Sequence, residues 1–163
     1  MKVPAVLKST LATAFLGITT LCLAPSSSQA ATATAPINVS ATVVATCTIG
    51  ATAMAFGNYT GVVATATSTV TVQCTNTTPY TVSLNAGTSS GSSVTARKMT
   101  GAAGVFLNYG LYSDSGYATN FVTTASITGN GAAQPITVYG SVPAGQYVAP
   151  NTYTDTVTAT VSY

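Results

Sequence analysis

From residue 31 to residue 45 every odd position is apolar: Ala31, Ala33, Ala35, Ile37, Val39, Ala41, Val43 and Ala45. The positions between them are Thr32, Thr34, Pro36, Asn38, Ser40, Thr42 and Val44, nearly all polar. Such period-two alternation is what a β-strand needs when one face meets a core and the other meets water. Fully extended, the run would cover about 50 Å at ~3.3 Å per residue, whereas an ordinary strand is about five or six residues long. One small domain cannot use all of it as a single strand. Either part of the run pairs at home and part pairs elsewhere, or Pro36 ends an Ala-Thr leader and residues 37–47 form the first strand.

The far end of the chain repeats the pattern. In residues 151–163 (NTYTDTVTATVSY), Tyr153, Asp155, Val157, Ala159, Val161 and Tyr163 alternate with Thr154, Thr156, Thr158, Thr160 and Ser162. This predicts a last strand with one apolar and one hydroxyl face, whose two backbone edges must be paired or covered. Between the ends, Val70, Val72 and Cys74 alternate with Thr69, Thr71 and Gln73, and Tyr80, Val82, Leu84 and Ala86 with Thr81, Ser83 and Asn85. Val105, Leu107, Tyr109 and Leu111 continue the theme, as do Ile136 and Val138. Turn-forming clusters at residues 75–79, 87–93, 101–104, 113–116, 129–131 and 143–145 separate these stretches. No apolar pattern at three-and-four spacing is sustained, and Thr, Val, Ser and Gly stand where helix formers would be needed. The chain reads as all-β, a sandwich or a barrel. Cys47 and Cys74, on separate strands that they can bridge, favour the sandwich.

Residues 1–30 read as a secretory signal peptide: Lys2 and Lys8, an apolar stretch at 11–24, and a Ser-Gln-Ala end at 28–30 that places the cut after Ala30. Cys22 follows Leu21, where a lipoprotein signal would carry a small residue. Removal leaves 133 of the 163 residues, enough for one domain with one core. The charges that remain are Arg97, Lys98, Asp114 and Asp155, which cancel. A basic nucleic-acid footprint is therefore absent, and the repulsion that keeps soluble proteins apart is removed, which favours association. The two cysteines left, Cys47 and Cys74, are expected to form one disulfide in an oxidising compartment. Closing a loop of that length is worth roughly 3 to 4 kcal/mol in the chain-entropy estimate. A metal site has no histidine to complete it.

The inventory of side chains argues against catalysis. Beyond residue 30 there is no His, Glu or Trp, so the usual acid-base pairs and the base for a nucleophilic Ser or Thr are missing. Asp114 and Asp155 could pair as glycosidase carboxylates do, but Asp114 sits in an SDSG turn, where Asp serves local backbone hydrogen bonds. Asp155 falls on the apolar parity of the last strand and has three structural outlets: solvent, backbone N–H groups of a neighbouring loop, or a pair with Arg97 or Lys98. The nine tyrosines fit strand packing with wet hydroxyls better than a sugar-stacking set. Sequons at Asn38, Asn58 and Asn76 matter only in a glycosylating host. No catalytic, cofactor or metal residue is assigned.

Taken in order, Cys47, FGNY (56–59), VQC (72–74), PYTVSLNAG (79–87), ARKM (96–99), LNYGLYSD (107–114), TVYGSVPAGQY (137–147) and TYTDTVTATV (152–161) resemble the spore coat protein U domain family. Within it the chain is similar to subunits of archaic, Csu-type chaperone-usher pili. It departs from the family pattern after LYSD, where SGYATNF (115–121) lacks the Trp that members often carry. The resemblance implies an immunoglobulin-like β-sandwich that lacks one strand and is completed by a donor strand from a neighbouring subunit or a chaperone. It implies a signal peptide at 1–30, an extension at 31–45 that contains the donor strand, and the sandwich domain at 46–163. Ile37, Val39, Ala41 and Val43 are the implied groove-filling side chains. The implied role is a non-enzymatic pilus subunit, secreted through the periplasm to the cell surface for adhesion and biofilm formation. Its partners would be copies of itself or related pilus subunits, a periplasmic chaperone and an outer-membrane usher, with no cofactor. A self-assembling spore coat or matrix protein and a monomeric carbohydrate-binding β-sandwich are the alternatives.

Overall fold

A computed structural model describes residues 29–163; the leader expected at residues 1–30 lies outside them except for its last two positions. The chain divides into two units, Met1–Ser40 and Ala41–Tyr163. In the first, residues 29–40 carry no regular secondary structure and are exposed.

The second unit is built of eight strands: β1 (Cys47–Ala51), β2 (Ala64–Cys74), β3 (Pro79–Leu84), β4 (Arg97–Thr100), β5 (Phe106–Tyr112), β6 (Ile127–Thr128), β7 (Gln134–Val142) and β8 (Ala159–Ser162). One 3-10 turn, Ala102–Gly104, leads into β5. Five strands form a sheet in the order β1-β2-β7-β5-β4, and three form a second sheet in the order β6-β3-β8. Every strand pairing is antiparallel. The all-β expectation and the two-layer architecture are both met.

Alternation explains why these residues form these strands. On β2 the inward side chains Val70, Val72 and Cys74 are buried, while Thr65, Thr67 and Gln73 are exposed. On β3 Tyr80, Val82 and Leu84 point in; on β7 Val138 and Val142 do so. With Leu107, Tyr109, Leu111, Met99 and Phe121 they form one core between the sheets. The register is fixed by this pattern, because a one-residue slip would turn every buried valine to solvent.

One local feature was read differently from sequence, and the expected disulfide forms between two separate strands. β5 starts at Phe106, and Val105 is exposed at the end of the 3-10 turn. The Cys47–Cys74 disulfide joins partners directly opposite one another on β1 and β2, within one sheet, so it staples the edge strand and does not tie facing sheets. The loop without the family's Trp is filled by Phe121, 1 % exposed, while Tyr117 packs edge-on against Tyr112 and Tyr139 at centroid distances of 5.7 and 6.5 Å. Asp114 accepts hydrogen bonds from the N–H groups of Thr119, Ala118 and Gly116 in that loop, and these hold its carboxyl below the usual range. This is the structural part expected of it.

Candidate functional site: an open groove between unpaired edges

β1 and β8 stand at the ends of their sheets, each with a single strand neighbour. In an antiparallel ladder the residues of a strand turn their backbone groups alternately to either side. Thr46 and Thr52 bond across to the β2 side, through Thr75 N–H to Thr46 O at 2.9 Å and Thr52 N–H to Thr69 O at 3.0 Å. The odd residues Cys47, Ile49 and Ala51 therefore turn their N–H and C=O to the free edge. Likewise Asn85 N–H donates to Thr158 O at 3.1 Å, on the β3 side, which leaves the odd residues Val157, Ala159 and Val161 turned outward. These are the unpaired rows that a strand-adding partner uses.

Between the two edges lies a cavity of about 380 Å³. Ala51, Ala53, Met54 and Phe56 line one side and Tyr153, Asp155, Val157 and Ala159 the other, over a floor that includes Val70, Leu84, Leu111 and Val138. A second cavity of about 690 Å³ shares Met54, Phe56, Met99 and Tyr153 with it and continues towards the loops at residues 57–61 and 146–152. At that end Tyr59 of FGNY donates its hydroxyl to Pro143 O at 2.6 Å and receives Gln146 N–H at 3.1 Å, which joins two of the motifs read from sequence. A Cβ at Gly140 would collide with Met54 Sδ, so the glycine is what lets residues 54 and 56 settle on β7.

Apolar side chains along the two edges are partly wet. Ile49, opposite the fully buried Val72, is 37 % exposed, and Val157, Ala159 and Val161 are only half-buried although they lie on the inward parity. The alternation expected over residues 153–163 is thus present in burial up to Ser162, with Tyr163 exposed, and ladder pairing covers only Ala159–Ser162, with one isolated bridge from Thr154 to Thr100. The expected groove-filling residues lie outside any strand: Ile37 and Val39 are each 88 % exposed, Val43 is 85 % exposed, and Ala41 is exposed. The first strand begins at Cys47, not at Ile37.

Polar chemistry in the wall centres on Asp155. Its Oδ1 accepts from Thr88 N–H at 2.8 Å, Thr88 Oγ1 at 3.0 Å and Thr156 N–H at 2.8 Å, and its Oδ2 accepts from the Tyr109 hydroxyl at 2.7 Å. Burial opposes its charge, but the bonds from Tyr109, Thr88 and Thr156 outweigh burial and hold the carboxyl below its ordinary range. Burial, reinforced by the Asp155 bond, pushes the Tyr109 phenol well up. Of the three outlets for Asp155, loop N–H groups are the one used. Arg97 instead donates to four backbone carbonyls: Val94 O at 2.6 Å, Asn85 O at 3.0 Å, Phe121 O at 3.2 Å and Leu84 O at 3.3 Å. It is 1 % exposed, and burial pulls its pKa down against the pull of Tyr109 and Asp155. Lys98 stands over the Phe106 ring at 5.3 Å. Nothing in the sequence marked Arg97 as a carbonyl clamp, since backbone acceptors leave no trace in residue identity.

Two antiparallel sheets around one core, with an open apolar groove beside unpaired edges, define the class of two-layer β-sandwiches. The particular family follows from comparison: residues 33–160 match the Spore Coat Protein U domain, and the chain belongs to that family. It is 39 % identical over 75 residues to Protein U of Myxococcus xanthus, an alignment that takes in 43 % of this chain and 42 % of that protein. In structure it is similar to a chain of the CsuC-CsuE chaperone-tip adhesion subunit pre-assembly complex from the archaic chaperone-usher Csu pili of Acinetobacter baumannii. That likeness has a TM-score of 0.55 at 26 % identity and covers 75 % of this chain and 41 % of the other. The chain thus spans less than half the length of either relative.

Proposed function

We propose that this chain is a structural, non-enzymatic subunit of a surface pilus assembled by the chaperone-usher pathway, serving adhesion and biofilm formation. The single observation that carries the reading is the pairing of two unfinished features in one chain: an open groove and an alternating segment that has no strand to join. The groove wall from Tyr153 to Ala159 is seven residues long with four inward side chains; Ile37, Val39, Ala41 and Val43 likewise span seven residues with four apolar side chains on one face. Residues 31–45 act as the donor extension, residues 46–163 as the acceptor sandwich, and residues 1–30 as the signal peptide. A periplasmic chaperone fills the groove first, and at an outer-membrane usher the extension of the next subunit replaces it, on the way to a fibre of identical or related subunits. Burying four aliphatic side chains at roughly 1 to 3 kcal/mol each, with a strand's worth of new hydrogen bonds, is comparable to the whole stability of a domain.

The test uses the whole chain with Ile37→Asp and Val39→Asp, which can accept a strand but not donate one. The unaltered chain is expected to polymerise, and the double variant to stay monomeric with a low melting temperature that a peptide of residues 31–45 raises by tens of degrees. A variant that melts high and cooperatively without peptide refutes the reading and leaves a self-contained binding sandwich. Polymer formed equally by both variants points to a coat-type assembly that does not use the groove.

A further inference from the structure

The groove wall poses a problem that strand pairing does not solve. Residues 155–158 belong to no ladder, and the groove side of this stretch has no partner until one arrives. Yet the stretch keeps strict inward and outward alternation, as a docked strand would need. Something other than pairing holds it extended.

We propose that Asp155 is the positioning residue that holds residues 155–158 in strand-ready form, so that the groove meets its donor already shaped. The inference rests on the donor-strand reading above. The carboxylate is the hub: it ties the wall to β5 through the Tyr109 hydroxyl and to the loop after β3 through both the N–H and the hydroxyl of Thr88. The loop is cut to fit it. Gly87 has φ +87°, and a Cβ there would collide with Asp155 Oδ2. The wall's two ends are pinned separately. Thr154 and Thr100 exchange two backbone bonds at 2.8 and 3.1 Å, and Asn85 binds Thr158 through its own N–H and through Oδ1, which accepts Thr158 N–H at 2.9 Å. Arg97 in turn fixes the Asn85 carbonyl. Asp155 accepts four bonds within the domain, three at Oδ1 and one at Oδ2, so its carboxylate is engaged before any strand arrives and acts through the wall.

Preorganisation of this kind has a kinetic signature. If only a fraction of free molecules hold a competent wall, apparent affinity falls by that fraction, and the loss appears in association. Once the donor is in place its own ladder orders the wall, and dissociation changes little. Ordering a single residue at the moment of docking corresponds to on the order of tenfold in the equilibrium.

The experiment follows binding of a fluorescent peptide of residues 31–45 to the whole chain carrying Ile37→Asp and Val39→Asp, alone and with Asp155→Asn or Tyr109→Phe added. Tyr109→Phe removes one hydroxyl and leaves the ring against Phe56, so it tests the tie even where Asp155→Asn fails to fold. Both additions are expected to slow association about tenfold or more, with dissociation of the loaded complex changed less than about threefold. Unchanged association, or faster dissociation at normal association, overturns the proposal while the parent chain still takes up peptide. Absence of uptake by the parent chain itself overturns the donor-strand reading, and the role of Asp155 with it.

Discussion

Replacing Arg97 by Met should be among the most damaging single changes in the domain, although the chain has so little charge that a lone arginine reads as a surface residue. The guanidinium is buried and holds together three pieces of chain: the end of β3 at Leu84 and Asn85, the loop before β4 at Val94, and Phe121. Two of its four bonds are short, at 2.6 and 3.0 Å, and two are long, at 3.2 and 3.3 Å. Counting only the two short ones at about 1.5 to 3 kcal/mol each, as for charged donors, gives about 3 to 6 kcal/mol. Methionine fills the volume, so little of this is cavity cost. For a domain of this size the loss corresponds to a drop in melting temperature of roughly 12 to 24 °C. Arg97→Lys should recover less than half, because one ammonium with three donors cannot reproduce a planar fork aimed at four acceptors. Urea denaturation of the whole chain measures both variants. A cost below about 1 kcal/mol for Arg97→Met, or wild-type stability for Arg97→Lys, would refute the clamp, because neither is compatible with those bonds being made in solution.

Removing the staple by Cys47→Ser with Cys74→Ser should cost about 3.5 kcal/mol from the 27-residue separation, read as a shift in denaturation midpoint. Gly87→Ala should destabilise by more than about 1 kcal/mol, since it meets both a left-handed backbone and the Asp155 carboxylate; a neutral result would mean that the loop moves freely. Stability against pH should be flat through neutrality. Asp114 and Asp155 have lowered carboxyl pKa values, so their contributions are present above the unfolded value of about 3.9 and are lost as pH falls through the folded values below it. Tyr109 is raised, so its contribution is present below about pH 10 and is lost as pH rises towards its folded value. A melting temperature that declines between pH 7 and pH 5 would contradict this assignment.

Much of the layered fold was legible because Val, Tyr and Leu alternate with Thr and Ser on β3 and on the second half of β2. The first half of β2, ATATS, escaped notice because Ala, Thr and Ser differ too little in hydropathy to show a face. β4 was hidden for the opposite reason: RKMT looks like a solvated turn until Arg97 is seen to spend its charge on carbonyls. The groove was foreshadowed by a terminal strand with no evident partner. Its wall was not, because the support comes from the Thr88 backbone and a tyrosine hydroxyl forty-six residues away in sequence. Asp155 on an apolar parity drew attention to itself, but residue identity left three outlets open and only the folded chain chooses among them.

The place of the disulfide sets how the domain answers to mechanical force. Cys47 is the first residue of β1, so tension applied through the chain at residue 46 meets the Cys47–Cys74 bond before it can reach the hydrogen bonds that follow along β1. It passes covalently into β2, which is flanked by β1 and β7 and paired with β7 over nine residue positions. Peeling β1 from its end, the easy way to unravel an edge strand, is blocked at the first step. Tension at residue 46 must instead work against the β2–β7 ladder, and the segment before Cys47 can be strained hard while β1 stays paired.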